Sequence, residues 1–171
     1  MLAERGCFGE LGFLPQNVRS LSIKGGDLSK LDRTALVNCL DSDLYIVFGA
    51  SYIRGWLAKF LVKNRALNIH IGLSPYYRGS SCNFWALYDN NPNYVGATIH
   101  MLSEGLDSGP ILYHCVPRWD GENPFEFTMK SALVAHKSLT SRIKNGEVFE
   151  ISPTKQCKND ELRYTKNADF T

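Results

Sequence analysis

The chain has 171 residues, enough for one domain with a sizeable core and too few for two of ordinary size. Hydrophobic residues make up 44% and charged residues 21%, ordinary values for a soluble globular protein, and a formal net charge of +2 gives no electrostatic case for a nucleic-acid or membrane surface. No apolar run approaches the roughly 20 residues of a membrane helix. The N-terminal MLAERGCFGELGFLP carries acidic residues and no sustained apolar core, so it reads as a poor signal peptide. Cys7, Cys39, Cys82, Cys115 and Cys157 are scattered and form no CxxC pair. That pattern speaks against a disulfide framework and a zinc cluster, and predicts a cytoplasmic protein with reduced thiols and no metal.

In chain order, VRSLSI at 18–23 alternates loosely and is compatible with a strand. Asp27 and Ser29 precede an expected short helix over 30–40, with Leu31, Ala35, Leu36, Val37 and Leu40 as its apolar positions. LYIVF at 44–48 is short, continuous and apolar and ends in Gly49, as a strand buried on both faces of a parallel sheet does. A helix over 53–61 and a strand ALNIHI at 66–71 complete a βαβ unit. SSCNFWALY at 80–88 suits a short helix, and the cluster Asp89-Asn-Asn-Pro-Asn is a turn. YVGATIHML at 94–102 and GPILYHCV at 109–116 read as antiparallel neighbours, and 125–143 as the longest helix, stopped by Asn145-Gly146. Residues 150–171 are polar and expected to be irregular. The class is α/β in a single domain spanning 1–171, with a parallel core followed by an antiparallel edge.

In open parallel sheets ligands sit beyond the carboxyl ends of the strands. Asn68 and His70 stand there with i, i+2 spacing, so their side chains leave one face together. Asn can donate to a developing oxyanion, and His can move a proton near neutral pH. Asp107, in the loop SEGLDSGP between Gly105 and Gly109, is the candidate carboxylate partner. Plainer readings stand beside these. An Asn-x-His at a strand end often anchors a loop, and an Asp between glycines is often a solvated turn. His100 reads as a satisfied strand histidine rather than a ligand, and His114 and His136 have no ligand-like neighbours. Phe84, Trp85 and Tyr88 at helical spacing read as core. On residue chemistry alone the chain is an enzyme of unknown type.

Taken together, NIHIGLSPYYRG at 68–79, GATIH at 96–100 and EGLDSGPI at 104–111 resemble the folate-dependent formyltransferase family, which includes methionyl-tRNA, glycinamide ribonucleotide and sugar N-formyltransferases. The resemblance is clearest over 43–117, with the family's spacing kept between Asn68 and Asp107, and runs more loosely back to Val18 and forward through SPTKQ at 152–156. It implies a Rossmann-like, mostly parallel sheet with an antiparallel edge. It also implies Asn68, His70 and Asp107 as catalytic residues, 10-formyltetrahydrofolate as the cofactor and a primary amine as acceptor. Asn68 and protonated His70 would stabilise the oxyanion, while Asp107 would support the charge on His70 and help collect the amine's proton. The folate would lie between 48–53 and 102–107, against Phe48, Gly49, Ser51, Ile53, Leu102, Glu104 and Leu106.

Two departures from the family pattern stand out. Ile71 and Gly72 occupy the usual Pro-Ser positions after the His, and Ser74 replaces a common Leu. At the N-terminus, residues 1–17 do not read as the βαβ unit with which the family opens. The first unit is therefore expected to be incomplete, the chain shortened, and the open edge covered by residues 1–17 or by a homodimer. Lacking a basic patch or the barrel of methionyl-tRNA formyltransferases, the chain is expected to have no nucleic-acid or membrane partner. A small acceptor is expected, with an amino sugar nucleotide as one candidate. Two alternatives keep the same residues: a 10-formyltetrahydrofolate hydrolase, and a truncated non-catalytic relative that binds a ligand or partner.

Overall fold

The computed structural model describes residues 2–10 and 12–169. Strands β1 (Ile46–Phe48), β2 (Leu67–His70), β4 (Ala97–Met101) and β5 (Ile111–Cys115) form one sheet in the order β1-β2-β4-β5. The helix α2 (Gly55–Lys63) carries the chain from β1 to β2, which pair in parallel. Strand β4 runs antiparallel to β2, and β5 antiparallel to β4. The fold is thus α/β, a parallel pair followed by an antiparallel edge.

Alternation along β2 sorts its side chains between two faces. Leu67 and Ile69 join Ala97, Ile99 and Cys115 against Ala135 and Leu139 of the long helix α4 (Pro124–Lys144) and Val148 of α5 (Glu147–Glu150). Asn68 and His70 must then leave on the opposite face. That face is covered at its β1 end by α2, whose Leu57 and Leu61 cluster with Ala66, Val47 and Leu102. Local chemistry bounds α4: Asn123 accepts the Glu126 N–H at 3.1 Å, Pro124 opens the first turn, and Arg142 and Lys144 complement the last one. The short helices α1 (Leu2–Phe8) and α3 (Cys82–Tyr88) complete the packing. The first lies against α4, with Phe8 and Phe48 both meeting the His136 ring edge-on, and the second closes a small core with Tyr77, Val95 and Phe127.

Five expectations are corrected. Strand β1 is not buried on both faces, since Ile46 and Phe48 are each 46% exposed, and of Phe84, Trp85 and Tyr88 only Trp85 packs against a core, the other two being exposed. Residues 18–23 are exposed and join no sheet; the alternation is there, and no neighbouring strand edge is paired to it. The helix over 30–40 is replaced by helical turns at Leu28–Lys30 and Thr34–Cys39. Leu31 is extended (ψ 139°), and the Asp32 carboxylate accepts the N–H groups of Thr34 and Ala35 at 2.9 and 3.1 Å, which starts a new turn in mid-segment. The polar C-terminal stretch is not irregular throughout. Thr154 bridges Ile111, and β6 (Arg163–Thr165) pairs in parallel with β3 (Tyr77–Gly79). Residues 154–165 form a strap across the carboxyl end of β2.

Candidate active site

Four elements converge where the apolar face of β2 ends. Strand β2 brings Asn68 and His70, the latter 6% exposed. Register across the antiparallel ladder sets His100 of β4 directly opposite Asn68. The loop between β4 and β5 brings Asp107, and the end of β3 brings the Gly79 N–H. One Asp107 oxygen, Oδ2, lies 3.5 Å from His70 Nδ1 and accepts the Gly79 N–H at 3.3 Å. The other, Oδ1, accepts from Asn68 Nδ2 at 3.4 Å and stands 3.8 Å from His100 Nε2. Asp107 holds a φ of 47°, in the left-handed region that non-glycine residues seldom adopt and that aspartate tolerates better than most. Beside it, Gly109 approaches β4 so closely that a Cβ would stand 1.7 Å from the Met101 carbonyl oxygen.

Hydrogen bonds assign the proton positions. His70 Nε2–H donates to the Tyr77 carbonyl at 3.1 Å, so in the neutral ring the Nδ1 lone pair is the one that faces Asp107. Nδ1 is therefore the proton-accepting atom, and a proton gained there turns a repulsive contact with the carboxylate into an ion pair. Burial holds the His70 pKa below the ordinary histidine value, with His100 and Arg78 adding to that effect; Asp107 and the Tyr77 carbonyl pull it back only in part. This favours the neutral ring at neutral pH. Burial alone would raise the Asp107 pKa, but the neighbouring His100 and His70 rings and the Gly79 N–H outweigh it, so the carboxyl stays below its ordinary value.

His100 Nδ1–H donates to the Met101 carbonyl at 2.8 Å, which leaves Nε2 of the neutral ring to accept from Asn68 Nδ2 at 3.0 Å. Both Asn68 N–H groups are then directed at His100 and Asp107. For Asn68 to serve an oxyanion, the longer contact to Asp107 at 3.4 Å is the one a substrate oxygen would displace.

A cleft of about 570 Å³ opens above this cluster, walled by Phe48 to Tyr52, His70, Gly79 to Ser81, Thr165 and Lys166. A narrower cavity of about 80 Å³ continues under the 102–107 loop between Ile53, Ala58, Leu102 and His100. Asn68 and Asp107 line both. Of the expected folate-contacting residues, Phe48 and Gly49 face the cleft, Ile53 and Leu102 the narrow cavity, and Ser51 and Leu106 both. Glu104 is the exception. It lines neither space, and its backbone carbonyl accepts the Tyr52 hydroxyl at 2.5 Å.

The departure at Gly72 has a steric basis. A Cβ there would lie 2.5 Å from Cys82 Cβ and 2.7 Å from His70 Nε2, so a serine side chain cannot enter beside this cysteine. Cys82 takes that space instead, its sulfur 3.5 Å from His70 Nε2. Its thiol is pushed up to about 12, first by burial and then by Asp107, and stays protonated. Sequence reasoning missed His100, the Tyr77 carbonyl, the Gly79 N–H and Gln156. For His100 the signal was available in principle, since pairing GATIH antiparallel to NIH sets it opposite Asn68. The backbone groups and Gln156 leave no local mark. Among the described residues no group of His, Cys, Asp or Glu side chains converges to hold a metal ion, and no helix is long and apolar enough to cross a membrane.

Comparison with known proteins identifies the family and the fold. The chain is 38% identical over 80 residues to formyltetrahydrofolate deformylase 2, mitochondrial, of Arabidopsis thaliana, an alignment covering 46% of this chain and 24% of the relative. It is 27% identical over 130 residues to the methionyl-tRNA formyltransferase of Thermotoga neapolitana, covering 74% of this chain and 41% of that one. Among solved structures, the formyltransferase PseJ from Anoxybacillus kamchatkensis, in complex with UDP-4,6-dideoxy-4-formamido-L-AltNAc and tetrahydrofolate, superposes with a TM-score of 0.63 at 24% identity, covering 88% of this chain and 72% of that one, a likeness of fold. The chain thus spans less than half the length of these two curated relatives. A profile described as formyl transferase matches residues 34–141, more than half of the chain, which therefore belongs to the formyl transferase family.

Proposed function

We propose that the protein transfers a formyl group from 10-formyltetrahydrofolate to the primary amine of a small acceptor, with Asn68, His70 and Asp107 as the catalytic residues. The observation that carries this reading is the cluster of these three side chains, with Asn68 and Asp107 lining both a cleft and a narrower cavity and His70 lining the cleft. The residues fit a folate. Val47, Ile53, Ala58 and Leu102 give apolar walls for a flat ring, and the backbone of 102–107 gives it a polar edge. When bound, the folate supplies the formyl carbon. The acceptor nitrogen would enter from the wider cleft, past Ser80, Ser81, Thr165 and Lys166, a polar and cationic approach that suits an anionic acceptor such as an amino sugar nucleotide. Asn68 Nδ2–H holds the developing negative oxygen. His70 Nδ1 takes the proton that the attacking amine loses, Asp107 stabilises the resulting imidazolium, and the proton then returns to the nitrogen that leaves.

A second reading, hydrolysis of the same folate with water as the attacking group, is favoured by the similarity to the Arabidopsis deformylase. It uses the same residues. The test is incubation with 10-formyltetrahydrofolate, following tetrahydrofolate by absorbance and formate separately, with and without amino sugar nucleotides and other primary-amine metabolites. Turnover that needs an amine supports transfer. Formate release at the same rate without one supports hydrolysis. No binding of the folate at all overturns both.

A further inference from the structure

The strap that crosses the site contributes one side chain whose role is not structural filler. Gln156 donates both N–H groups of its amide to the loop between β4 and β5, to the Asp107 carbonyl at 2.9 Å and to the Gly109 carbonyl at 2.6 Å. No other hydrogen bond reaches either carbonyl among the described residues. We propose that Gln156 is a positioning residue, a two-pronged clamp that fixes the Asp107 backbone so that its carboxylate stands against His70. The inference rests on the reading of Asp107 and His70 as the proton-handling pair and adds a requirement for the C-terminal strap.

The physical reasons are local. Asp107 sits at φ 47°, a conformation that costs an L side chain about 1–2 kcal/mol and so gains from being held. Its carboxylate holds it only weakly, because its hydrogen bonds to Asn68 and Gly79 and its contact to His70 are all long, at 3.3 to 3.5 Å. The grip must come through the backbone. Arg78 holds the Leu106 carbonyl at 2.7 Å and Tyr52 the Glu104 carbonyl, but both act upstream of Asp107. Gln156 alone spans Asp107 and the glycine packed on Met101. Two carbonyls gripped by one planar amide are fixed in orientation as well as in distance, which is what a side chain attached between them requires.

The test is Gln156→Met, which keeps length and volume and removes both donors. NMR titration of the His70 ring reads the position of Asp107 without any substrate, since the groups facing that ring are Asp107, His100, Arg78 and the Cys82 thiol, and only Asp107 is loosened. With its favourable charge displaced, His70 should titrate at lower pH in the variant. Turnover should fall by roughly 10²-fold, the scale of a misplacement near 1 Å, with KM for the folate changing far less. A His70 titration and turnover identical to wild type in the folded variant overturns the clamp. If the variant does not fold, wild-type protein decides: the Gln156 side-chain amide protons must exchange slowly, and exchange at the rate of an exposed glutamine overturns the clamp equally. A shifted His70 titration in a protein that transfers no formyl group keeps the clamp and removes the functional reading. Active protein with an unshifted titration does the reverse.

Discussion

At the residue scale, the site is a buried histidine between two acceptors, and its chemistry follows from that placement. Removing the ring with His70→Ala should lower turnover by roughly 10²–10⁴-fold, the range of a positioned proton-transfer group, with folate affinity nearly unchanged. Asp107→Asn keeps the shape and removes the charge, so it should act in the same direction. In the proposed mechanism the two side chains work as a pair, so the double variant should lose far less than the product of the single losses; full multiplication in steady-state kinetics would contradict the pairing. The depressed His70 pKa also has a stability consequence. Below the ordinary value of 6.5 the unfolded chain takes up a proton that the folded chain resists, so this contribution is complete above 6.5 and is lost as pH falls toward the lower folded value. Asp107 adds a second loss further down, below its ordinary value of 3.8 as pH passes its depressed folded value. Urea unfolding as a function of pH should therefore show a flatter profile for His70→Gln than for wild type just below 6.5.

At the element scale, the site depends on which face each strand buries. Leu67 and Ile69 face α4, and this forces Asn68 and His70 outward together. Leu139 is 2% exposed at the centre of that contact, so Leu139→Ala should cost about 2–5 kcal/mol in urea unfolding, through lost burial and a cavity. The N-cap of α4 is separable from the core. Asn123→Ala removes the acceptor for the Glu126 N–H and should cost about 1 kcal/mol, leaving activity per folded molecule as it was. Strand β1 is less secured, since Ile46 and Phe48 are each 46% exposed and β2 is its only partner among the described residues.

At the scale of the whole molecule, the strap joins both ends of the site. It enters at the Thr154–Ile111 bridge, passes Gln156 over the Asp107 loop, and ends as β6 on β3, with Arg163 paired to Asp89 and Arg78 to Glu161 at 2.8 Å. Strand β3 in turn carries the Tyr77 carbonyl and the Gly79 N–H to His70 and Asp107. Gly79 is where the two strands approach most closely: φ is 91°, and a Cβ would stand 1.8 Å from the Thr165 carbonyl oxygen. Gly79→Ala should separate β6 from β3, lower the melting temperature and reduce turnover together. A variant that melts as wild type would show that the strap is not packed in this way.

Much of this was open to reading in the chain itself, wherever the cause is local. LYIVF, ALNIHI and the pair around GATIH and ILYHC form strands because apolar runs ending in turn residues leave few other solutions, and 125–143 is helical because its cap, periodicity and Asn-Gly stop agree. Asn68 and His70 share a face by strand geometry, whatever surrounds them. What local pattern could not settle was pairing at a distance. VRSLSI alternates as a strand does, yet no edge accepts it; the polar residues 154–165 lack the alternation of a strand, yet backbones far away in sequence accept theirs. His100 looked like an ordinary strand histidine until register placed it opposite Asn68. Gln156, 49 residues beyond Asp107, enters the site only because the chain end folds back over it. Hydrophobic period and turn chemistry act within a few residues and so are written in the sequence, whereas a hydrogen bond between two polar groups carries no signature until packing brings them within reach.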